Sequence, residues 1–286
     1  MKVWLNGKLV DKRAAKVSLW DHGLLYGDGV FEGIRAYNGK VFHAQAHIDR
    51  LFDSAKVIRL AIPYTKQELT DAIVETLHAN GRKDAYIRLV VTRGEGNLGL
   101  NPFQCPVPGT FIIVDKIELY PEDMYREGMA VIVAKTRRTA PSMFSPAVKS
   151  LNYLNNLMAK IEAIDAGVAE AVMLNDKGEV AECTGDNLFI VKDGTVFTPP
   201  PEAGFLIGIT RGVVIKLAHH SHVPLREQTI RPADLYAADE CFLTGTAAEV
   251  IPVTKIDGRL IGTGKPGPVS LKLFHAFRQY IASGNW

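Results

Sequence analysis

Residues 170–200, EAVMLNDKGEVAECTGDNLFIVKDGTVFTPP, constrain the fold more than any other stretch. Turn signals at Asp176-Lys177-Gly178 and Lys192-Asp193-Gly194 cut it into apolar runs too short for helices. It reads as a β-meander. Glu182 lies inside it, among Val180, Ala181 and Cys183. A carboxylate there sits on a solvated face or is buried with a partner, because burial alone is costly. A protonated heterocyclic nitrogen would serve as that partner.

The strand MAVIVAKTRR and the stretch AVKSLNYLNN precede the meander. After Lys149, the apolar residues Leu151, Leu154, Leu157, Met158, Ile161 and Ile164 recur at helical spacing. Lys149 therefore stands where a strand or loop feeds a helix. The positive end of the helix dipole does not favour a lysine there. It is either a surface charge or an amine held for chemistry.

The first part of the chain alternates strands and helices. Residues 1–10 read as a hairpin turning at Asn6-Gly7, and VFEGIRAYNGKVFH as two strands joined at Asn38-Gly39. Residues 44–60 put Ile48, Leu51, Ala55 and Ile58 on one helical face. A second helix starts with the capping box of Thr65 and Glu68 and stops at Gly81. The strands AYIRLVVTRG and GTFIIVDKI follow. The expected class is α+β with two domains: 1–115, a linker over 116–127, and 128–286.

At 286 residues, 47% of them hydrophobic, the chain can bury two cores. Its 33 basic and 31 acidic residues leave a formal charge of +2, which points to neither a nucleic-acid nor a membrane partner. Cys105, Cys183 and Cys241 are far apart and form no CxxC, so neither a zinc site nor a disulfide framework is expected. No signal peptide is read at the N-terminus, and no apolar run approaches the roughly 18 residues that span a membrane. A reducing cytoplasm is the expected location, and a small molecule the expected ligand.

GEGNLG (94–99) matches a dinucleotide motif formally, but Pro102 follows where a helix would have to begin. It reads as a loop. His219, His220 and His222 read as a helix end rather than a metal site. GITRG (208–212) opens a helix with glycine and threonine. That is either a phosphate cup or an ordinary threonine N-cap. TGTAAE (244–249) is a second turn with spare hydroxyls and amides.

An amine, a phosphate cup and a partnered carboxylate suit pyridoxal phosphate. YGDGVFEGIRAY, HIDRLFDSAK, AYIR, KSLNYLNN, GEVAECTGDNLF, GITR and ADECFLTGTAAEVIPV occur in order over essentially the whole chain. In these stretches the sequence resembles the branched-chain amino acid aminotransferases of the fold-type IV pyridoxal-phosphate class. The resemblance implies a small N-terminal domain and a larger C-terminal one with a β-barrel-like core. It implies that Lys149 carries the cofactor as an imine and later moves a proton. Glu182 would pair with the ring nitrogen, Tyr153 with the phenolic oxygen, and Leu206 would pack on the ring. Arg50, Ile209, Thr210 and Thr246 would hold the phosphate. Phe31, Gly33, Tyr86, Arg88 and the Thr246-Ala247 amides would face the substrate, with Tyr26 reaching a neighbour's site.

The implied reaction moves an amino group from leucine, isoleucine or valine to 2-oxoglutarate in two half-reactions, in a homodimer or larger homo-oligomer such as a hexamer. D-amino acid aminotransferases, amine transaminases and aminodeoxychorismate lyases share the fold. The interval from Lys149 to Tyr153 resembles the D-amino acid branch. A non-catalytic pyridoxal-phosphate carrier is the alternative from another class.

Overall fold

The computed structural model describes residues 1–117 and 120–286, which divide into two compact units. The first is Met1–Ile117 with Val148–Asn152. The second is Glu118–Ala147 with Tyr153–Trp286. The expected linker, 116–127, includes Glu118 and Leu119, which lie outside the described residues. Its end is a helix, Glu122–Glu127.

The first unit holds six strands, β1 (Lys2–Leu5), β2 (Lys8–Asp11), β3 (Gly29–Tyr37), β4 (Lys40–Val41), β5 (Ala85–Thr92) and β6 (Gly109–Asp115). They form one antiparallel sheet in the order β2-β1-β6-β5-β3-β4. The hairpin turns use Asn6-Gly7 and Asn38-Gly39 at positive φ, as two-residue turns require. Helix α1 (His22–Tyr26) is short, and α2 (Ala44–Val57) and α3 (Lys66–Ala79) cover one sheet face. Their apolar stripes, Ile48, Leu51 and Ala55 in α2 and Leu69, Ile73 and Leu77 in α3, are buried with Ile34, Ile87, Leu89 and Ile112. The Thr65–Glu68 capping box forms, and Gly81 follows at φ +61°.

The second unit opens with α4 (Glu122–Glu127), β7 (Met129–Val133) and α5 (Leu154–Asp165). The meander is β8 (Glu170–Leu174), β9 (Val180–Cys183), β10 (Asn187–Lys192) and β11 (Thr195–Thr198). Then come α6 (Ile209–His220), β12 (Leu225–Glu227), α7 (Pro232–Tyr236), β13 (Glu240–Gly245), β14 (Glu249–Ile256), β15 (Arg259–Leu260) and α8 (Pro268–Ser283). The sheet order is β12-β11-β10-β13-β14-β7-β8-β9, with β15 on β14. β9 is last in that order, yet a tight turn closed by Cys183 N–H to the Asp186 carbonyl leads straight into β10. A sheet whose last strand runs into its third must curl, which gives the barrel-like core. Its interior is Val131, Val172, Leu188, Leu243, Ile251 and their neighbours.

Helix α5 reverses the usual arrangement. Ala159 and Ala163 pack inward on Ala171 and Met173. The large residues face outward, with Leu154 exposed to 70% and Ile164 to 63%. Small residues inside let the helix approach the sheet closely. No helix among the described residues is long and apolar enough to cross a membrane.

Two carboxylates lie deep in this unit. Glu170 accepts from the Thr184 hydroxyl and amide, and the Tyr120 hydroxyl lies 3.3 Å from both Glu170 Oε2 and Asp186 Oδ2. Burial first, and the Glu170 charge second, push Asp186 up to about 7. The folded protein then holds a proton that the unfolded chain releases near pH 4, so stability falls as pH rises between about 4 and 7. Asp186→Asn should flatten that fall and unfold at a higher temperature than wild type at pH 8. Thermal melts of both proteins across pH 5–8 check it.

Candidate active site

Lys149 is placed by its backbone. Val148–Asn152 runs alongside β3: Phe31 N–H donates to the Lys149 carbonyl at 3.0 Å and Leu151 N–H to the Gly29 carbonyl at 2.9 Å. Val30 and Ser150 form an antiparallel bridge between them. On α2, Ser54 Oγ accepts from Lys149 N–H at 3.1 Å. The lysine is half-buried, and its Nζ lies 4.6 Å from the centre of the Phe31 ring. A loosely held surface side chain has no such fixed root.

Strand periodicity arranges the neighbours. Phe31 and Gly33 share one face of β3, opposite Val90 and Arg88 of β5. The Arg88 guanidinium stacks 4.5 Å from the Phe31 ring and donates to the Tyr86 hydroxyl at 3.2 Å. Phe31 thus contacts two cationic side chains, a favourable use of an aromatic face. A Cβ on Gly33 would lie 2.0 Å from the Tyr86 hydroxyl, so only glycine lets that ring settle there. Tyr26, at the end of α1, donates to the Leu98 carbonyl, and His22 Nε2 meets the Asn97 carbonyl at 2.7 Å. The GEGNLG loop is therefore tied to α1, and only a three-residue 3-10 turn, Pro102–Gln104, follows it.

Glu32 points to the other face of β3 and is fully buried. It meets Arg50 and His47 of α2. Lys149, Arg50, Phe31, Gly33, Tyr86 and Arg88 are thus all brought onto β3 or its direct neighbours.

In the second unit, Glu182 is buried and paired. Its Oε1 accepts from Arg138 Nε at 2.6 Å and its Oε2 from Leu206 N–H at 3.2 Å. Arg138 is buried too, and Asn155 Oδ1 accepts from its Nη1 and from Thr139 N–H, both at 3.1 Å. Asn187 Nδ2 donates to the Leu206 carbonyl at 2.9 Å, which fixes the approach to α6. The threonine N-cap alternative does not form: Gly208 is the N-cap, with no side-chain cap, and Thr210 is buried inside the first turn. A Cβ on Gly208 would fall 2.0 Å from Asn187 Oδ1. The first-turn amides keep the dipole and donors of an anion site. Thr246 and Ala247 lie half-buried in the turn between β13 and β14, where Gly245 packs on Asp186. Tyr153 is half-buried and is the N-cap residue of α5.

Sequence reasoning missed Glu32, His47, Ser54, Arg138 and Asn187. Glu32 and His47 did carry a signal, being polar residues on the core-facing sides of a strand and a helix. Arg138 carried none, because its neighbour Arg137 is the same residue and is exposed.

The model of the amino-transferase class IV family matches residues 29–256. Those limits are the first residue of β3 and the last of β14. A Methanocaldococcus jannaschii protein provisionally named branched-chain-amino-acid aminotransferase is 54% identical over 278 residues, 97% of this chain and 96% of that one. The crystal structure of the Escherichia coli branched-chain amino acid aminotransferase has a TM-score of 0.95 at 37% identity, covering 98% of this chain and 94% of that one. The T.th. branched-chain amino acid aminotransferase, solved with pyridoxamine 5'-phosphate, also reaches 0.95 at 38% identity, over 99% and 94%. The fold is therefore that of the fold-type IV aminotransferases, and this chain belongs to the amino-transferase class IV family.

Proposed function

We propose that the protein is a pyridoxal-phosphate-dependent transaminase of branched-chain L-amino acids, with 2-oxoglutarate as the acceptor. The observation that carries the reading is the rooted Lys149 amine beside the Phe31 ring. The comparisons with branched-chain enzymes support the substrate class.

The residues fit the cofactor. The uncapped first turn of α6 offers donors to a phosphate, and the buried Glu182 carboxylate is an acceptor suited to a protonated ring nitrogen. When bound, pyridoxal phosphate supplies a carbonyl for the amino group and a ring that takes up charge from the substrate Cα. Lys149 would hold the carbonyl and, once released, take the proton from Cα as a general base. Arg50, Thr246 and the Ile209 and Thr210 amides would hold the phosphate. Tyr153 would donate to the phenolic oxygen, and Leu206 would pack on the ring.

Phe31 and Tyr86 would offer aromatic surface to an aliphatic side chain, with Gly33 making room for the Tyr86 ring. Arg88 offers a guanidinium to a distal carboxylate. The Thr246-Ala247 amides would take the substrate carboxylate, and Tyr26 would serve a neighbouring copy. The outward apolar face of α5 supports a homo-oligomer, at least a dimer, because soluble monomers rarely expose such contiguous surface. Three free, buried cysteines accord with a reducing cytoplasm.

L-Leucine should bleach the visible band of the cofactor-loaded protein, and D-alanine should not. Bleaching by D-alanine alone would move the protein to the D-amino acid branch. Bleaching by neither would leave the lyase, amine-transaminase and carrier readings. Lys149→Ala should abolish both band and turnover. Glu182→Gln should keep the cofactor and lose about 10²–10³-fold in kcat, the scale of one preorganised electrostatic partner. Steady-state assays on the loaded variant measure that loss. Ile161→Glu should shift the particle towards monomer in sedimentation, and an unchanged mass would remove α5 from the interface.

A further inference from the structure

Glu32 raises a physical question. It is fully buried in the middle of β3, on the face that packs on α2. A buried ion pair is often no more stable than apolar residues of the same volume. Here the carboxylate is bonded on both oxygens. Oε1 accepts from Arg50 Nε and Oε2 from Arg50 Nη2, each at 2.7 Å. Oε2 also meets His47 Nδ1 at 2.7 Å. His47 and Arg50 lie one turn apart on α2, so one helix face aims both at one acid.

The protonation states follow. Burial opposes the Glu32 charge, but Arg50 and then His47 outweigh it and hold the carboxyl at about 2. Burial lowers His47, against the pull of Glu32, so the ring is neutral at pH 7. Nδ1 must then carry the proton that is donated to Glu32. Nε2 is a buried acceptor with no hydrogen-bond partner. The cluster of one carboxylate, one guanidinium and one neutral imidazole has no net charge.

We propose that Glu32 and His47 are positioning residues for Arg50, clamping its guanidinium by the Nε–Nη2 edge so that it meets the cofactor phosphate in one orientation. The proposal rests on the reading above, in which Arg50 holds that phosphate. Two-point bonding fixes the guanidinium plane, and the third bond from His47 fixes the carboxylate that holds it. The same helix receives the Lys149 amide on Ser54, so α2 sets the roots of both the amine and the guanidinium.

Charge alone makes the opposite prediction. Glu32→Gln deletes a negative charge beside the phosphate ligand, and a purely electrostatic view expects tighter phosphate binding. Positioning expects weaker binding. The experiment titrates the full-length chain, stripped of cofactor, with pyridoxal phosphate and separately with pyridoxal, which lacks the phosphate. Glu32→Gln should weaken pyridoxal phosphate about 10-fold or more, the scale on which the outer partners of a ligating side chain act. It should leave pyridoxal nearly unchanged.

His47→Leu should move the same ratio in the same direction by less, and it serves as the test if Glu32→Gln does not fold. An unchanged or tighter pyridoxal-phosphate affinity in either variant overturns the proposal. So does an equal loss for both ligands, which marks a merely structural role. Arg50→Gln tests the underlying reading separately: if it spares the ratio of the two affinities, Arg50 does not hold the phosphate, whatever the other variants do.

Discussion

The pairing of Val148–Asn152 with β3 is the constraint on which the candidate chemistry depends. Backbone hydrogen bonds are set by the strand and not by side-chain preference, so the lysine root is as fixed as β3 itself. β3 is held on its other side by β5 along Gly29–Ala36. Its two faces then have separate tasks. Phe31 and Gly33 present one surface to Lys149, Tyr86 and Arg88, while Ile34, Ala36 and Glu32 turn to the helices. Strand alternation separates an apolar core from a polar site across a single residue.

Both units bury charge in the same manner. Glu32 is matched by Arg50 and His47, and Glu182 by Arg138 and the Leu206 amide. Removing one partner of such a pair typically costs about 3–5 kcal/mol, because the other charge is left stranded. Replacing the whole pair with apolar residues often costs nothing. Stability alone therefore does not account for the buried Glu32, Glu182 and Arg138 and the half-buried Arg50. In the proposed site their use would be orientation, since a fixed carboxylate or guanidinium needs no reorganisation when a charged ligand arrives.

Much of this was legible in the sequence. The meander, the Thr65–Glu68 capping box and the α2 stripe follow from local rules of periodicity and capping, and the structure has them. Lys149 was legible as a lysine ahead of a helix; its return to the first unit was not, because no local rule encodes a bridge between Val30 and Ser150. The apolar residues of α5 announced a face but not what covers it, and the face turned outward. Arg138 and Arg137 look alike in the sequence, and only three-dimensional packing separates the buried one from the exposed one.

The five-residue return of the chain to β3 also bears on synthesis. A ribosome that has released residues 1–117 has delivered the six strands of the first sheet but not the segment that docks beside β3. That segment emerges only after β7, so the first unit completes itself while the second is being made. Domains that fold as they emerge generally close in order. Here Lys149 arrives late, at a strand already in place, and cutting the chain between the two sets of residues would leave neither fragment with both the lysine and its strand.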